Sequence, residues 1–166
     1  DKMLEFQEMS EDDAVRVFVD DGYYEYKKRR ERYGNFLSGS SIWANAPARM
    51  FVGFIEETPV AVIGFSEYKG FLLDAGVHVR EGYRNRGLGS VLLDKVVKEK
   101  GNKTLLVNVA NPAIVNSFRR KGFTDMVIEE IPKELQEELA GIKYPDQLQK
   151  WMMYSVPEWQ MVLRWN

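Results

Sequence analysis

One segment, a strand, loop, helix and second strand in succession, constrains the fold of this chain most. Phe71–Val79 is predicted as a strand, and Leu88–Lys100 is an amphipathic helix whose apolar residues recur every three or four positions. Gly101 and Asn102 end that helix, and Thr104–Val109 is a short apolar run typical of a buried parallel strand. The segment therefore predicts an α/β fold in which helices flank a sheet.

The remaining elements fit a mixed α/β domain. Met3–Met9 alternates apolar and polar residues as a short strand does, and Ser10, followed by three acidic residues, predicts a helix start. The segments before Phe71 are a helix over Gly22–Tyr33, a loop over Gly34–Pro47, and strands over Arg49–Glu56 and Val60–Tyr68. Turns at Thr58-Pro59 and Lys69-Gly70 would make the strands on either side of them an antiparallel meander. The segments after Val109 are a helix over Pro112–Lys121, a strand over Phe123–Ile131, helical segments over Pro132–Ala140 and Asp146–Tyr154, and a strand over Glu158–Trp165.

Length and composition are those of one ordinary globular domain. The chain has 166 residues, 45% of them hydrophobic, and a formal net charge of -2. It has no cysteine, which excludes a disulfide framework and a thiolate metal site, and no other metal site is predicted. No apolar stretch approaches the roughly 20 residues of a membrane span, and the first residues lack the pattern of a secretion signal. We expect a cytoplasmic protein that binds neither membranes nor nucleic acid.

The loop between the strand and the helix predicts an anion site. The first N–H groups of a helix have no partner within it, and the helix dipole adds partial positive charge there, so a phosphate binds those amides directly. Gly87 and Gly89 allow a close approach, Arg84 and Arg86 add positive charge, and Ser90 offers a hydroxyl. The pattern favours a pyrophosphate ligand.

Two common nucleotide motifs do not match this loop. A Walker loop requires Gly-Lys-Ser/Thr, but Gly89 is followed directly by Ser90. A Rossmann fingerprint requires a third glycine, where this chain has Leu92, and an acidic residue roughly 20 positions further on, where it has Val107 and Asn108. Both alternatives are disfavoured.

Two motifs of the chain resemble those of the GNAT superfamily of N-acetyltransferases. Arg84–Gly89 matches the pattern R/Q-x-x-G-x-G/A. Leu106–Phe123 is similar to the next motif, in which a strand is followed by Asn111 and by a helix that closes with Gly122 and Phe123. The resemblance implies a central mixed β-sheet of about seven strands flanked by helices. It also implies one domain over residues 1–166, with a helical insertion at about 132–156, that transfers acetyl groups from acetyl-CoA to an amine.

The resemblance further implies a binding site for acetyl-CoA. The backbone groups of Val77, His78 and Val79 are expected to bind the pantetheine arm and the thioester. The residues expected to surround the pyrophosphate are Arg84, Asn85, Arg86, Gly87, Leu88, Gly89 and Ser90. Asn111 is expected to hold the far side of the cofactor.

The chain lacks the usual proton donor of the family, because the tyrosine position of the second motif holds Phe118. A base matters more than this acid, since an aliphatic amine with a pKa near ~10.4 is protonated at neutral pH, whereas a thiol near ~8.5 leaves readily. The positions aligned with the family's usual base hold Leu73 and Ala75, and the catalytic candidates beside them are Asp74 and His78. In a regular strand Asp74 and His78 share the face opposite to that of Leu73 and Ala75, and a bulge would change which face they present. We favour His78, because a free imidazole titrates near pH ~6.5.

Several functional alternatives stay open at this stage. The first is an N-acetyltransferase, monomeric or homodimeric, that acts on a small or peptidic amine. A non-catalytic CoA-binding module is the rival, and Phe118 favours it. A phosphate-loop nucleotide binder is disfavoured by the missing lysine after Gly89. An acidic stretch from Glu129 to Glu138 suits either a cationic acceptor or a solvated helix face.

Overall fold

The computed structural model describes residues 4–21, 48–109, 114–140 and 150–155. The strands are β1 (Glu5–Met9), β2 (Ala48–Ile55), β3 (Thr58–Tyr68), β4 (Phe71–Val79), β5 (Thr104–Val109), β6 (Thr124–Asp125) and β7 (Lys150–Tyr154). The helices are α1 (Glu11–Val17), α2 (Leu88–Glu99), α3 (Val115–Arg120) and α4 (Lys133–Ala140), with 3₁₀ turns at Val19–Asp21 and Ile128–Glu130. No helix within the described ranges is long and apolar enough to cross a membrane.

Within the described residues, the strands form one seven-stranded sheet in the order β1-β2-β3-β4-β5-β7-β6. All neighbouring pairs are antiparallel except β4 and β5, which are parallel. The predicted mixed α/β class, the count of about seven strands and the meander from β2 to β4 are confirmed. The first meander turn lies at Glu56 and Glu57, slightly before the predicted Thr58-Pro59, because both of these glutamates adopt positive φ angles and Pro59 already pairs with Phe54.

Helices cover both faces of the sheet. Helix α2 packs against one face, where Leu92 and Val96 are fully buried against β-strand residues such as Phe65 and Leu72. On the other face, α1 ends at Phe18, whose ring is buried among residues of β2 and β3 that include Val62. Each fully buried leucine or phenylalanine contributes roughly 1.5–3 kcal/mol. Helix α4 covers the second face further along, over β4, β5 and β7.

Strand β7 corrects one prediction. Residues 146–154 are predicted to be helical, but Lys150–Tyr154 forms a strand between β5 and β6. Both of its faces are covered, because Met152 packs on the α2 side and Met153 on the α4 side. A strand that is buried on both faces shows no polar alternation, so its sequence does not reveal it. Among the described residues of the predicted insertion, the helical segment is Lys133–Ala140.

A second correction concerns Phe123–Ile131, which is predicted as one strand. Strand β6 is limited to Thr124–Asp125, the Met126 N–H donates one more bond to the Trp151 carbonyl of β7, and a 3₁₀ turn at Ile128–Glu130 follows. The apolar residue at the end of this segment, Ile131, packs against the sheet under α4 instead of extending β6. The predictions that lie outside the described residues are the helix over Gly22–Tyr33, the loop over Gly34–Pro47, the strand over Glu158–Trp165 and the binding residue Asn111.

Candidate acyl-transfer site

The parallel strands β4 and β5 are paired only at their beginnings. The pairing ends at Leu73 and Leu106, although both strands continue. Beyond that point β4 pairs with β3 alone, and β5 pairs with β7. Val77 is 55% exposed on this free part of β4. The edge of β4 that faces β5 therefore presents backbone groups that β5 does not use, which is the geometry an extended ligand needs to add to a strand.

Asp74 lies where the two strands part. Its Oδ1 accepts a hydrogen bond from the Gly76 N–H at 2.7 Å, and its Oδ2 accepts one from the Asn108 N–H at 3.1 Å. The carboxylate thus takes the place of the next backbone contact between β4 and β5. Burial raises the pKa of Asp74, and the two amide donors offset part of that rise. Asp74, one of the two candidate catalytic residues, thus supports the point at which β4 and β5 separate, which we call the fork.

A bulge in β4 decides where the other candidate points. Val77 pairs with Ile63 and Asp74 pairs with Phe65, so two residues of β4 lie opposite the single residue Gly64. Phe65 packs on the α2 side of the sheet, whereas Val62, the partner of His78, packs on the α1 side. Asp74 and His78 therefore belong to opposite faces, because the bulge shifts the alternation by one residue.

His78 is held at the end of α1. Its Nε2 lies 2.8 Å from Oδ2 of Asp21, and the two side chains are 16% and 13% exposed. The imidazole also meets the ring of Phe18 edge to face, with centroids 5.6 Å apart. Sequence reasoning missed Asp21, since it is 57 residues from His78 and no local pattern marks it.

The predicted anion loop has the expected shape. Gly87 is the N-cap of α2 with φ of 72°, and as a glycine it makes no side-chain cap. Val91 is the first residue of the helix whose N–H reaches back, to the Gly87 carbonyl at 3.1 Å. The amides of the first turn are thus left for a ligand. Gly89 lies close to Val77, because an added Cβ would be 3.5 Å from Cγ2 of that valine. The helix start and the free edge of β4 are therefore neighbours.

The two arginines of the loop differ in their contacts. The Nε of Arg84 donates to the carbonyl of Val79 at 2.9 Å, so this side chain folds back over the end of β4. The guanidinium of Arg86 lies 5.3 Å from the ring centroid of Tyr83. Arg84, Asn85, Arg86, Gly87 and Ser90 are all exposed, and Leu88 and Gly89 are half-buried. The structure brings every predicted loop residue to one surface beside β4.

Residues 6–140, most of the chain, match the model of the acetyltransferase (GNAT) family. The chain belongs to the GNAT family. It is an acyltransferase, and the cosubstrate of this family is acetyl-CoA. No curated protein matches the sequence of this GNAT protein.

Solved structures with the same fold share little sequence with this GNAT protein. The catalytic domain of the Tetrahymena GCN5 histone acetyltransferase in complex with coenzyme A is 21% identical, with a TM-score of 0.56 over 95% of this chain and 96% of that one. Escherichia coli ElaA is 14% identical, with a TM-score of 0.58 over 92% and 100% of the two chains. N-acetylglutamate synthase from Neisseria gonorrhoeae, complexed with coenzyme A and N-acetyl-glutamate, is 11% identical, with a TM-score of 0.60 over 95% of this chain and 36% of that one. These likenesses concern the fold.

The GNAT proton-donor position is occupied by an aromatic ring that packs into the protein. The ring of Phe118 packs edge to face against that of Phe123, with centroids 5.1 Å apart. Phe123 also contacts the ring of Tyr154, with centroids 5.3 Å apart. Nζ of Lys100 lies 5.0 Å from the centroid of Tyr154. Tyr154, whose hydroxyl has the proton that Phe118 lacks, is thus engaged in packing between β7 and α3.

Glu134, in the acidic stretch of this GNAT protein, lies far from His78. Oε1 of Glu134 pairs with Nζ of Lys69 at 3.1 Å, in the turn that precedes β4. His78 lies near the opposite end of β4, and nine residues of strand span roughly 30 Å. Glu134 is therefore too distant to hold an amine beside His78, and its contact with Lys69 is that of a solvated helix residue.

Proposed function

We propose that this protein transfers the acetyl group of acetyl-CoA to a primary amine, with the pantetheine arm between β4 and β5 and the pyrophosphate on the first turn of α2. One observation supports this most: the free edge of β4 ends beside the uncapped start of α2. The first site suits an extended amide-containing chain, and the second suits its phosphate end. Acetyl-CoA has both parts in this order.

The phosphate subsite consists chiefly of backbone groups. The N–H groups at residues 88–90, which precede the first helical bond from Val91 to Gly87, and the helix dipole favour an anion, and the exposed residue Arg86 adds charge. Gly87 has no side chain above these amides, and an added Cβ there would meet nothing within 4 Å. The space in front of the amides is therefore open to a pyrophosphate.

His78 is the proposed base. The neutral amine attacks the thioester carbonyl carbon, the bond between that carbon and sulfur breaks, and the imidazole takes the proton that the amine loses. CoA leaves as a thiolate and is protonated by solvent, because Phe118 has no proton to give. His78 and Val77 lie on opposite faces of the part of β4 that borders the fork, so the amine is expected to approach from the α1 side.

The experiment that tests this function measures acetyl-CoA binding and CoA release separately. Calorimetry is expected to give one site per chain, and amine acceptors are then screened for CoA release with a thiol reagent. Because the chain has no cysteine, the reagent reports CoA alone. Acceptor-dependent release supports the transferase. Binding without release for any amine favours the non-catalytic CoA-binding module, and no binding at millimolar cofactor contradicts both.

The variant His78→Gln tests the base. Glutamine keeps a polar side chain but does not titrate near neutral pH. We expect kcat to fall roughly 100-fold or more, with acetyl-CoA affinity unchanged, and the acid limb of kcat/KM to disappear. A variant with the wild-type rate and pH profile would make His78 structural and leave a water chain or Asp74 as the alternative.

A further inference from the structure

We infer that Asp21 is a positioning residue that fixes the orientation and the basic nitrogen of His78 through the contact between its Oδ2 and the imidazole Nε2. This inference rests on the proposed function and adds to the site a residue from outside both sequence motifs. It also gives the 3₁₀ turn after α1 a role in the reaction.

The contact determines which ring nitrogen acts as the base. An ionised carboxylate accepts hydrogen bonds and has no hydrogen to donate. The neutral imidazole therefore carries its hydrogen on Nε2, the atom 2.8 Å from Asp21. The lone pair then lies on Nδ1. When Nδ1 takes a proton from the amine, the resulting imidazolium keeps its bond to Asp21, which stabilises the charge. The same carboxylate that orients the ring thus favours the product of proton transfer.

The position of Asp21 is itself fixed by the fold. The backbone N–H of Glu81 donates to Oδ2 of Asp21 at 3.2 Å, which ties the turn to the end of β4. Arg80 adds a clamp, because its Nε donates to the Pro59 carbonyl and one terminal nitrogen donates to the Val17 carbonyl. The guanidinium also covers the ring of Phe18 at 5.2 Å. The end of α1, β3 and β4 are therefore held together around the His78–Asp21 pair.

Within the described residues, the charged neighbours of this turn are Arg80, Asp20 and Glu81. Strand β3 places Val62 opposite His78 and carries only uncharged residues from 60 to 64. Arg80 follows on the same face of β4, and its second terminal nitrogen pairs with Asp20 at 2.9 Å. The side chain of Asp20 is 69% exposed, and the side chain of Glu81 is also exposed, so neither substitutes for the contact that Asp21 makes.

The pair Asp21→Asn and Asp20→Asn tests the inference with a matched control. Each removes one carboxylate from the same turn, but only Asp21 contacts His78. Asp21→Asn is expected to lower kcat about 10-fold or more, with acetyl-CoA affinity within about twofold, because an amide does not fix one orientation and one tautomer of the ring. Asp21→Glu keeps the carboxylate and is expected to restore part of the lost kcat. Asp20→Asn is expected to match the wild type.

The double variant His78→Gln/Asp21→Asn shows whether Asp21 acts through His78. We expect it to be no slower than His78→Gln alone, since the carboxylate has no imidazole left to orient. Equal losses for Asp21→Asn in both backgrounds would overturn the inference, because Asp21 would then act independently. A wild-type kcat in Asp21→Asn would overturn it as well.

A measurement without acceptor separates this inference from the proposed function. The chain has one histidine, so nitrogen-15 NMR of the imidazole reports His78 alone. The expected spectrum of the full chain has an Nε2–H that exchanges slowly in the wild type and in Asp20→Asn and rapidly in Asp21→Asn. If no amine releases CoA, the proposed function fails although this spectrum is found. If Nε2 carries no protected hydrogen, the pairing itself is wrong, whatever the activity.

Discussion

Alanine in place of Gly122 is expected to destabilise the protein by about 2–5 kcal/mol, and the structure supplies both contributions. Gly122 follows α3 with φ of 99°, a conformation that costs an L-residue roughly 1–2 kcal/mol. An added Cβ would lie 2.9 Å from Cε2 of Tyr154, which is too close for any real contact. The tyrosine ring gives way only at a cost, because Phe123 and Lys100 hold it. Crowding of this kind costs roughly 1–3 kcal/mol.

Gly82→Ala is the matched control for Gly122→Ala. Gly82 has φ of 90°, and an added Cβ there would meet nothing within 4 Å, so only the backbone contribution of roughly 1–2 kcal/mol is expected. Urea unfolding of the protein without cofactor measures both variants. In a Tyr154→Leu background the Gly122→Ala loss should shrink by roughly 1 kcal/mol or more. Equal losses for the two alanine variants, or no coupling to Tyr154, would refute the reasoning.

Three further outcomes are expected. Gly87→Glu should abolish acetyl-CoA binding, because its carboxylate repels the pyrophosphate at the α2 amides. The control Gly87→Gln has the same size and backbone strain without the charge, so it should bind acetyl-CoA more tightly than Gly87→Glu. Calorimetry that finds equal affinities would place the pyrophosphate elsewhere. Phe118→Tyr should change kcat by less than about threefold, because a thiolate leaves readily, and a large gain in steady-state rate would show that an acid limits the native enzyme. Burial raises the pKa of Asp74 in the folded protein, so the folded state binds the extra proton. The stability advantage of the wild type over Asp74→Asn should therefore decline as pH rises above the unfolded pKa of about 3.8 and through the folded pKa. Urea unfolding across this pH range checks the sign, and an advantage that grows with pH would contradict it.

Elements whose signals are local could be predicted from the sequence. The predicted limits of β4 and β5 agree with the structure, since an apolar run bounded by turn residues needs no distant partner to be recognised. Ser10 was identifiable as a helix cap, and its Oγ accepts the Asp13 N–H at 3.1 Å. The anion loop was also predictable, because free amides at a helix start follow from the helix itself.

Features that depend on partners far along the chain became known only from the folded structure. Lys150–Tyr154 became a strand because β5 and β6 lie on either side of it, and both of its faces are covered. The bulge opposite Gly64 placed Asp74 and His78 on different faces, and the closure of α1 over the sheet brought Asp21 to His78. None of these contacts leaves a periodic trace in the sequence, because each arises from the spatial fit of segments that are remote from one another in the chain.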